Sequence, residues 1–434
     1  MSNSKPSTTT KPLEVLCIGT GAIGSIYSFI MTNGGANVTA VARSNYEILN
    51  SQGLDIESQK FGIHKGWKPY RAVKTPEQAR DRVYDYVLCT FKCTPDLQRT
   101  SEVIRPFLKP PSSSSSTEEK LPTIILIQNG VGIEAEVRSS LIDDPDRPPL
   151  AHSIISAVAW IGTNLKDGGR RVEHGGLERL EMGIYPHPDS PIDPKSGVKV
   201  PTPEERRRLE TFAELYNSGM GDARIMEDLE SVRWKKVLWN SGWGGLSTLA
   251  RQPVAKLLTE STIHYSLGVV RRTMLEVLHV ARSIGLNEDR LPAKSVDDAI
   301  NITLLQASVG TFTDGIYQPY DRESESVKQK ELSGSLNPTF KPSILIDLES
   351  GRPLELVPIF GHIVGLARRN KVDTPRLDMI LASLRPYQVE VIQKSRGDHE
   401  GQHPVEPSFG TLNPTSKGAW ADGAPVSSGK DAYI

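Results

Sequence analysis

Cysteine is scarce in this chain: 434 residues contain three, Cys17, Cys89 and Cys93. Three thiols in so long a chain do not make a disulfide framework, and Cys17 and Cys89 sit in apolar runs where cysteine behaves as a small buried hydrophobe. A reducing compartment follows, and the cytoplasm is the expected location. Net charge is nearly absent too, −1 from 51 basic and 52 acidic residues, which excludes the strong basic excess of a nucleic-acid binder. No apolar run reaches the roughly 18–20 residues that cross a bilayer, so no membrane partner is expected. The opening MSNSKPSTTTKP lacks an apolar signal core. It is rich in Ser and Thr and free of acids, as transit peptides are, but it has no Arg; a disordered leader over residues 1–11 is expected, with mitochondrial targeting left open. The chain is too long for one core of ordinary size, so two domains are expected.

What is present begins with a β–turn–α–β unit. Leu13–Ile18 reads as a buried strand, Ser25–Asn33 as a helix and Asn37–Ala42 as the next strand, the repeating unit of a parallel sheet. Tyr84–Phe91, Thr123–Gln128 and Ala151–Ile161 read as further strands, and Glu178–Ile184 and Ala223–Met226 as antiparallel additions. Two flexible insertions are expected, near 110–121 around a run of five serines and near 186–203 around Pro, Asp, Ser and Gly. After Asp228 the apolar period becomes helical, over Glu230–Asn240, Val254–Thr259, Tyr265–Ile284, Val296–Val309, Pro353–Arg369 and Asp373–Gln393. The expected class is α/β: a Rossmann-like dinucleotide-binding domain over 12–228, an all-α substrate and catalytic domain over 229–395, and a disordered tail over 396–434.

Gly19-Thr20-Gly21-Ala22-Ile23-Gly24 matches G-x-G-x-x-G between a strand and a helix, the context in which that motif binds a pyrophosphate. Gly19 permits the tight turn, Gly21 leaves room for the phosphates, and Gly24 lets helix and strand approach; the helix N-terminus offers N–H groups and a positive dipole end. NAD sites commonly carry an acid at the end of the second strand, for the ribose 2′-hydroxyl. Here the residue is Arg43. A guanidinium binds a 2′-phosphate that a carboxylate would repel, so NADPH is the expected cofactor.

A Rossmann turn does not define a reaction. The second informative run is Arg233-Trp-Lys-Lys236-Val-Leu-Trp-Asn240-Ser241. Lys236 and Asn240 share one helical face, while Lys235 points about 100° away. A lysine in a cleft can protonate a carbonyl oxygen or bind a carboxylate, and an asparagine can hydrogen-bond either; a solvated lysine pair on an amphipathic helix explains the run equally well by itself.

Four further pieces give the run its weight: Lys92 at a strand end, Asn129-Gly130 after another, and Ser343 and Glu355 late in the chain. In this order, with the glycine turn and Arg43, the sequence resembles the ketopantoate reductase family over Leu13 to Arg385. The resemblance implies reduction of a 2-oxo acid by NADPH, most directly 2-dehydropantoate to pantoate in pantothenate and coenzyme A synthesis. It implies that Gly19 to Gly24 hold the pyrophosphate, that Arg43 and Lys92 contact phosphate or ribose, and that Asn129 lies at the junction of cofactor and substrate. It implies Lys236 as proton donor, Asn240 and Ser343 as substrate ligands, and Glu355 as a catalytic carboxylate near the nicotinamide ribose or substrate that could help hold Lys236. It implies no metal, and a homodimer is left open.

One position departs from the family pattern. A second asparagine is expected four residues after Asn240, and this chain has Gly244. That opens two alternatives: a reductase of a different branched 2-oxo acid, or an NADP-binding protein without turnover. Other motif matches carry less. His399-Glu400-Gly-Gln-His403 fits H-E-x-x-H, but Gly401 and Pro404 are incompatible with the stable helix that metal site needs. Tyr70-x-x-x-Lys74 is misplaced for a short-chain dehydrogenase. Trp234, Trp239 and Trp243 read as core.

Overall fold

A computed structural model describes residues 11–110, 121–320 and 339–397. The expected leader, serine-rich insertion and tail, and the H-E-x-x-H match, lie outside the described residues apart from a few at their borders. The chain divides into two compact units, the first ending at Leu229. The second runs on from Glu230 and also takes in Lys92–Thr100 and Asn129–Ile133, so the division is not linear in sequence.

The first unit is built on a ten-stranded sheet. Its strands are β1 (Glu14–Ile18), β2 (Asn37–Val41), β3 (Leu54–Ser58), β4 (Gly62–Trp67), β5 (Arg71–Val73), β6 (Tyr86–Cys89), β7 (Thr123–Leu126), β8 (Ser153–Lys166), β9 (Arg171–Tyr185) and β10 (Ala223–Ile225). The order is β4-β3-β9-β8-β7-β6-β1-β2-β5, with β10 on β9. From β5 to β8 every pairing is parallel. The central strands β6 and β7 are buried on both faces, which is why YVLC and TIIL are apolar without alternation. The helix Ala22–Asn33 lays Ile26, Tyr27, Phe29 and Ile30 into the core, beside Phe212 and Tyr216 of the helix Pro203–Ser218.

Two strand expectations resolve differently. β9 is antiparallel to β8, as expected, but β10 runs parallel to β9. The reason is the helix Pro203–Ser218 between them, because a crossover through a helix returns the chain in the same direction. That helix has a local signal: Thr202-Pro-Glu-Glu205 is a capping box, with the Thr202 N–H donating to the Glu205 carboxylate at 2.8 Å and the Glu205 N–H donating to the Thr202 hydroxyl at 3.3 Å.

In the second unit the helices are Leu229–Trp239, Gly245–Ala250, Val254–Leu257, Ile263–Ser283, Ser295–Gln306, Ser343–Glu349, His362–Asn370 and Pro375–Arg396. Ile263–Ser283 supplies Leu267, Val270, Met274 and Val277 to a core that includes Trp243, Phe360 and Leu377. Glu276 on this helix is buried and accepts from the N–H groups of Arg376 and Leu377, both at 3.0 Å, satisfying the first turn of Pro375–Arg396. The unit is not purely helical. Gly310–Thr313 and Ile316–Pro319 form an antiparallel hairpin. Its two-residue turn is Asp314-Gly315 with φ of 52° and 81°, the positive-φ pair that a tight hairpin requires.

Candidate functional site

In the first unit the chemistry-bearing element is the turn after β1. Gly19 has φ 100° and a Cβ there would lie 2.6 Å from the Phe91 nitrogen, so glycine is required for both conformation and space. A Cβ on Gly24 would lie 2.2 Å from the Gly19 carbonyl oxygen and 2.6 Å from Thr90 Oγ1. Gly21 is different, since a Cβ there would meet nothing within 4 Å. The space beyond Gly21 is therefore open, at the N-terminus of a 12-residue helix with no acid in its first turn. Ala22 and Ile23 open that helix. This is a cradle suited to an anion.

The turn is braced by side chains on its far side. Thr20 is buried and donates its hydroxyl to the Val41 carbonyl at 2.7 Å. Asn45 donates to the Thr20 carbonyl at 2.7 Å. Thr90 donates to the Gly19 carbonyl at 2.6 Å. The brace ties the glycine turn to the end of β2, where Arg43 stands exposed. Thr20 offers a ligand its backbone, because its hydroxyl is spent on Val41. Sequence reasoning missed Asn45, a residue with no periodic or motif signal.

The second unit contains a charged cluster built on two buried carboxylates, Glu355 and Asp347. Glu355, 3% exposed, accepts from Asn129 Nδ2 at 2.9 Å, from the Cys93 N–H at 3.1 Å and from Lys92 Nζ at 3.4 Å. Lys92 Nζ also lies 2.8 Å from Asp347 Oδ2. Asp347 Oδ1 takes Nε and Nη2 of Arg352 at 3.0 and 2.8 Å. Burial alone would push the Glu355 carboxyl up; the Lys92 charge, then the Asn129 amide and Cys93 N–H, outweigh it and hold it below the ordinary value. Burial would pull the Lys92 ammonium down, but Glu355 and Asp347 leave it raised. Both groups are charged at neutral pH.

The Asn129-Gly130 turn is fixed on the same segment. Gly130 has φ 93°, and a Cβ on it would lie 2.3 Å from the Pro358 carbonyl oxygen. The Val131 N–H donates to that oxygen at 3.0 Å. Arg233, buried, donates to the Gly130 carbonyl at 2.9 Å. Arg233 lies one turn before Lys236 on Leu229–Trp239. On that helix Lys235 is exposed while Lys236 and Asn240 are half-buried, so the two lysines are not equivalent.

Asn240–Gly244 forms a π-helical turn, and Val357–Gly361, just after Glu355, forms another; such widened turns recur at functional sites. The glycines here serve packing as well. A Cβ on Gly242 would lie 2.7 Å from Met274 Cε, and one on Gly245 would lie 2.9 Å from Ile380 Cδ1. Gly244 instead has room, with Ile344 Cγ2 at 3.6 Å and Pro342 Cβ at 3.9 Å from a Cβ placed there. The turn therefore lies against the start of Ser343–Glu349, whose first residue, Ser343, is exposed.

Of the residues singled out from sequence, direct contact joins Lys92, Asn129 and Glu355, and the Asn240–Gly244 turn meets the neighbours of Ser343. Asp347, Arg352 and Arg233 were not anticipated. Asp347 had a signal, an acid inside the apolar run Ser-Ile-Leu-Ile-Asp-Leu; the other two had none. Among the described residues no group of three or more His, Cys, Asp or Glu could hold a metal, and no helix is long and apolar enough to cross a membrane.

Comparison with known proteins gives a consistent result. The family model described as Ketopantoate reductase PanE/ApbA matches residues 15–187, and its C-terminal counterpart matches residues 228–388. An uncharacterized protein of Saccharomyces cerevisiae is 26% identical over 378 residues, 85% of this chain and 91% of that protein. A 2-dehydropantoate 2-reductase of Nostoc sp. is 24% identical over 370 residues, 85% of this chain and 93% of that protein. The crystal structure of 2-dehydropantoate 2-reductase from Geobacter metallireducens GS-15 has a TM-score of 0.62 at 26% identity, covering 86% of this chain and 99% of that one.

Proposed function

Because the chain belongs to the ketopantoate reductase family, we propose that it reduces a small 2-oxo acid with NADPH, 2-dehydropantoate to pantoate being the favoured reaction. It is an oxidoreductase with a nicotinamide dinucleotide as cofactor. The choice of NADPH rests on Arg43, exposed at the strand end where an acid would select the unphosphorylated ribose. The observation that carries the reading is the buried Glu355 carboxylate held by Asn129, Lys92 and the Cys93 N–H. A carboxylate so deeply buried and so fully paired is costly to build for stability alone.

In this reading the backbone of Gly19 to Gly24 binds the pyrophosphate and Arg43 the 2′-phosphate. Lys92, Asn129 and Glu355 form the polar floor for ribose and substrate. Bound NADPH supplies the hydride that the ketone carbon accepts. Lys236 gives its proton to the ketone oxygen as negative charge develops there, so ketone, hydride and proton together make the hydroxyl. Asn240 orients that oxygen, and Ser343 binds the substrate's hydroxyl or carboxylate side. Cytoplasmic pantoate synthesis fits three buried cysteines, none of them in a disulfide. Assembly as a homodimer belongs to the proposal, supported by the exposed Tyr265, Ile302, Leu305 and Ile316 of the second unit.

Gly244 favours a second reading. Its neighbours Ile344 and Pro342 are apolar where the family pattern puts an amide, and this suits a 2-oxo acid with a bulkier apolar branch. The test is NADPH oxidation with 2-dehydropantoate beside a panel of branched and aromatic 2-oxo acids. The highest kcat/KM with 2-dehydropantoate supports the first reading, and a higher value with another acid the second. NADPH binding without turnover on any of them overturns both.

A further inference from the structure

Among the buried residues of Pro375–Arg396, Gln388 is the polar one, at 0% exposure. Its amide is used on every side. Oε1 accepts from the Leu354 N–H at 2.8 Å. Nε2 donates to the Leu354 carbonyl at 3.0 Å and to the Asp96 carboxylate at 3.1 and 3.2 Å. Asp96, buried itself, also takes Arg385 Nη1 at 2.9 Å, and its carbonyl accepts from Arg396 Nη2 at 3.1 Å.

The two segments that Gln388 joins are those that meet at the proposed site. Leu354 immediately precedes Glu355. Asp96 lies on the short segment Lys92–Thr100 that supplies Lys92 and the Cys93 N–H. A residue needed only for helix packing would be apolar here, as Leu384 and Val391 are. An amide at full burial is worth its desolvation where both donors and the acceptor are spent. Gripping the N–H and C=O of one residue together fixes its backbone in position and direction, and the next side chain follows.

We infer that Gln388, with Asp96, is a positioning residue that sets the Glu355 carboxylate against Lys92 and the Cys93 N–H by clamping Leu354. The inference rests on Glu355 belonging to the cofactor and substrate site. Gln388 touches neither ligand in this account and acts through Glu355 alone.

The experiment is a double-mutant cycle on the full chain with Gln388→Leu and Glu355→Gln. NADPH dissociation constant, kcat/KM and its acid limb are read alongside thermal melting. Gln388→Leu is expected to lower kcat/KM or NADPH affinity on the order of 100-fold, the scale of an ångström-level displacement. Its acid limb moves to higher pH, because a carboxylate loosened from Lys92 loses what holds its pKa down. In the Glu355→Gln background the same substitution costs almost nothing further in these readouts. Glu276→Gln, which loosens the same helix at its other end, is the structural control: it lowers melting and leaves kcat/KM and the acid limb in place. Asp96→Asn keeps an acceptor for Gln388 and is run through the same cycle should Gln388→Leu not fold, with a smaller shift of the same sign expected. Losses that add in the cycle, or a Gln388 variant that changes melting only, overturn the clamp. If Glu355→Gln alone is indistinguishable from wild type, the failure belongs to the reading of Glu355, and the clamp falls with it.

Discussion

Alanine at Gly21 and at Gly24 should injure the protein in opposite ways. Gly21 sits at φ −75° and ψ −163°, which alanine adopts, and a Cβ there meets no protein atom within 4 Å. The folded chain without cofactor should lose only the few tenths of a kcal/mol to ~1 kcal/mol by which alanine is inferior as a helix N-cap. The added methyl instead occupies the open space in which the pyrophosphate is proposed to lie, so NADPH affinity should fall ~10–100-fold, about 1.4–2.8 kcal/mol. Gly24 presents the reverse case. Its Cβ would lie 2.2 Å from the Gly19 carbonyl oxygen and 2.6 Å from Thr90 Oγ1, and strand and helix must separate to admit it. Such overpacking costs ~1–3 kcal/mol, a melting point lower by roughly 2–10 °C. Melting curves with and without NADPH separate the two effects, because ligand stabilisation follows affinity for the native state. Gly21→Ala should melt within a few degrees of wild type without NADPH and gain little from it; Gly24→Ala should melt early in both conditions. A Gly21→Ala protein with wild-type NADPH affinity would refute the turn as the pyrophosphate site.

Three other outcomes are expected. Arg43→Ala should weaken NADPH by ~10-fold or more while leaving NADH unchanged, the size of one charge-assisted pair with phosphate; equal loss of both, read by fluorescence titration, would remove the 2′-phosphate assignment. Glu276→Ala should destabilise the second unit by ~1–3 kcal/mol in denaturant unfolding, since it removes the acceptor of two helix N–H groups at a buried site and one partner of Arg376. On acidification from about pH 7 to about pH 5, stability should fall, because burial holds His152, His174 and His279 below their ordinary value. The unfolded histidines then bind protons that the folded ones do not, so stability present above the unfolded pKa is lost as pH drops. Replacing His174 with Asn, which keeps a partner for Ser58, should flatten that slope in melts across the range.

The parallel half of the sheet was legible because its strands are short, apolar and bounded by polar residues, and the helical unit because its apolar period is long. What escaped was local or remote. The Asp314-Gly315 hairpin and the Thr202–Glu205 capping box had clear short signals that a search for periodicity passed over. β3, β4 and β5 lie at the sheet's periphery, where partial exposure breaks the apolar pattern. The glycine turn was readable because its spacing encodes its geometry. The partners of Glu355 were readable only through family order, since Lys92 and Asn129 stand 263 and 226 residues away. Asp96 and Gln388, 292 residues apart, leave no local trace, because nothing in a sequence window marks which buried amide will grip which backbone. The glycine run after Asn240 reads from sequence as a helix weakness; the structure gives it a use, since Met274 and Ile380 pack where side chains would otherwise stand.

The most direct test of the central proposal is Lys236→Ala, assayed by NADPH oxidation with 2-dehydropantoate and by NADPH titration on the same preparation. The proposed proton donor, half-buried beside the exposed Lys235, predicts a loss in kcat on the order of 100–10,000-fold. It predicts wild-type NADPH affinity and normal melting, with Lys235→Ala close to wild type. A Lys236→Ala enzyme that turns over at the wild-type rate would contradict the mechanism.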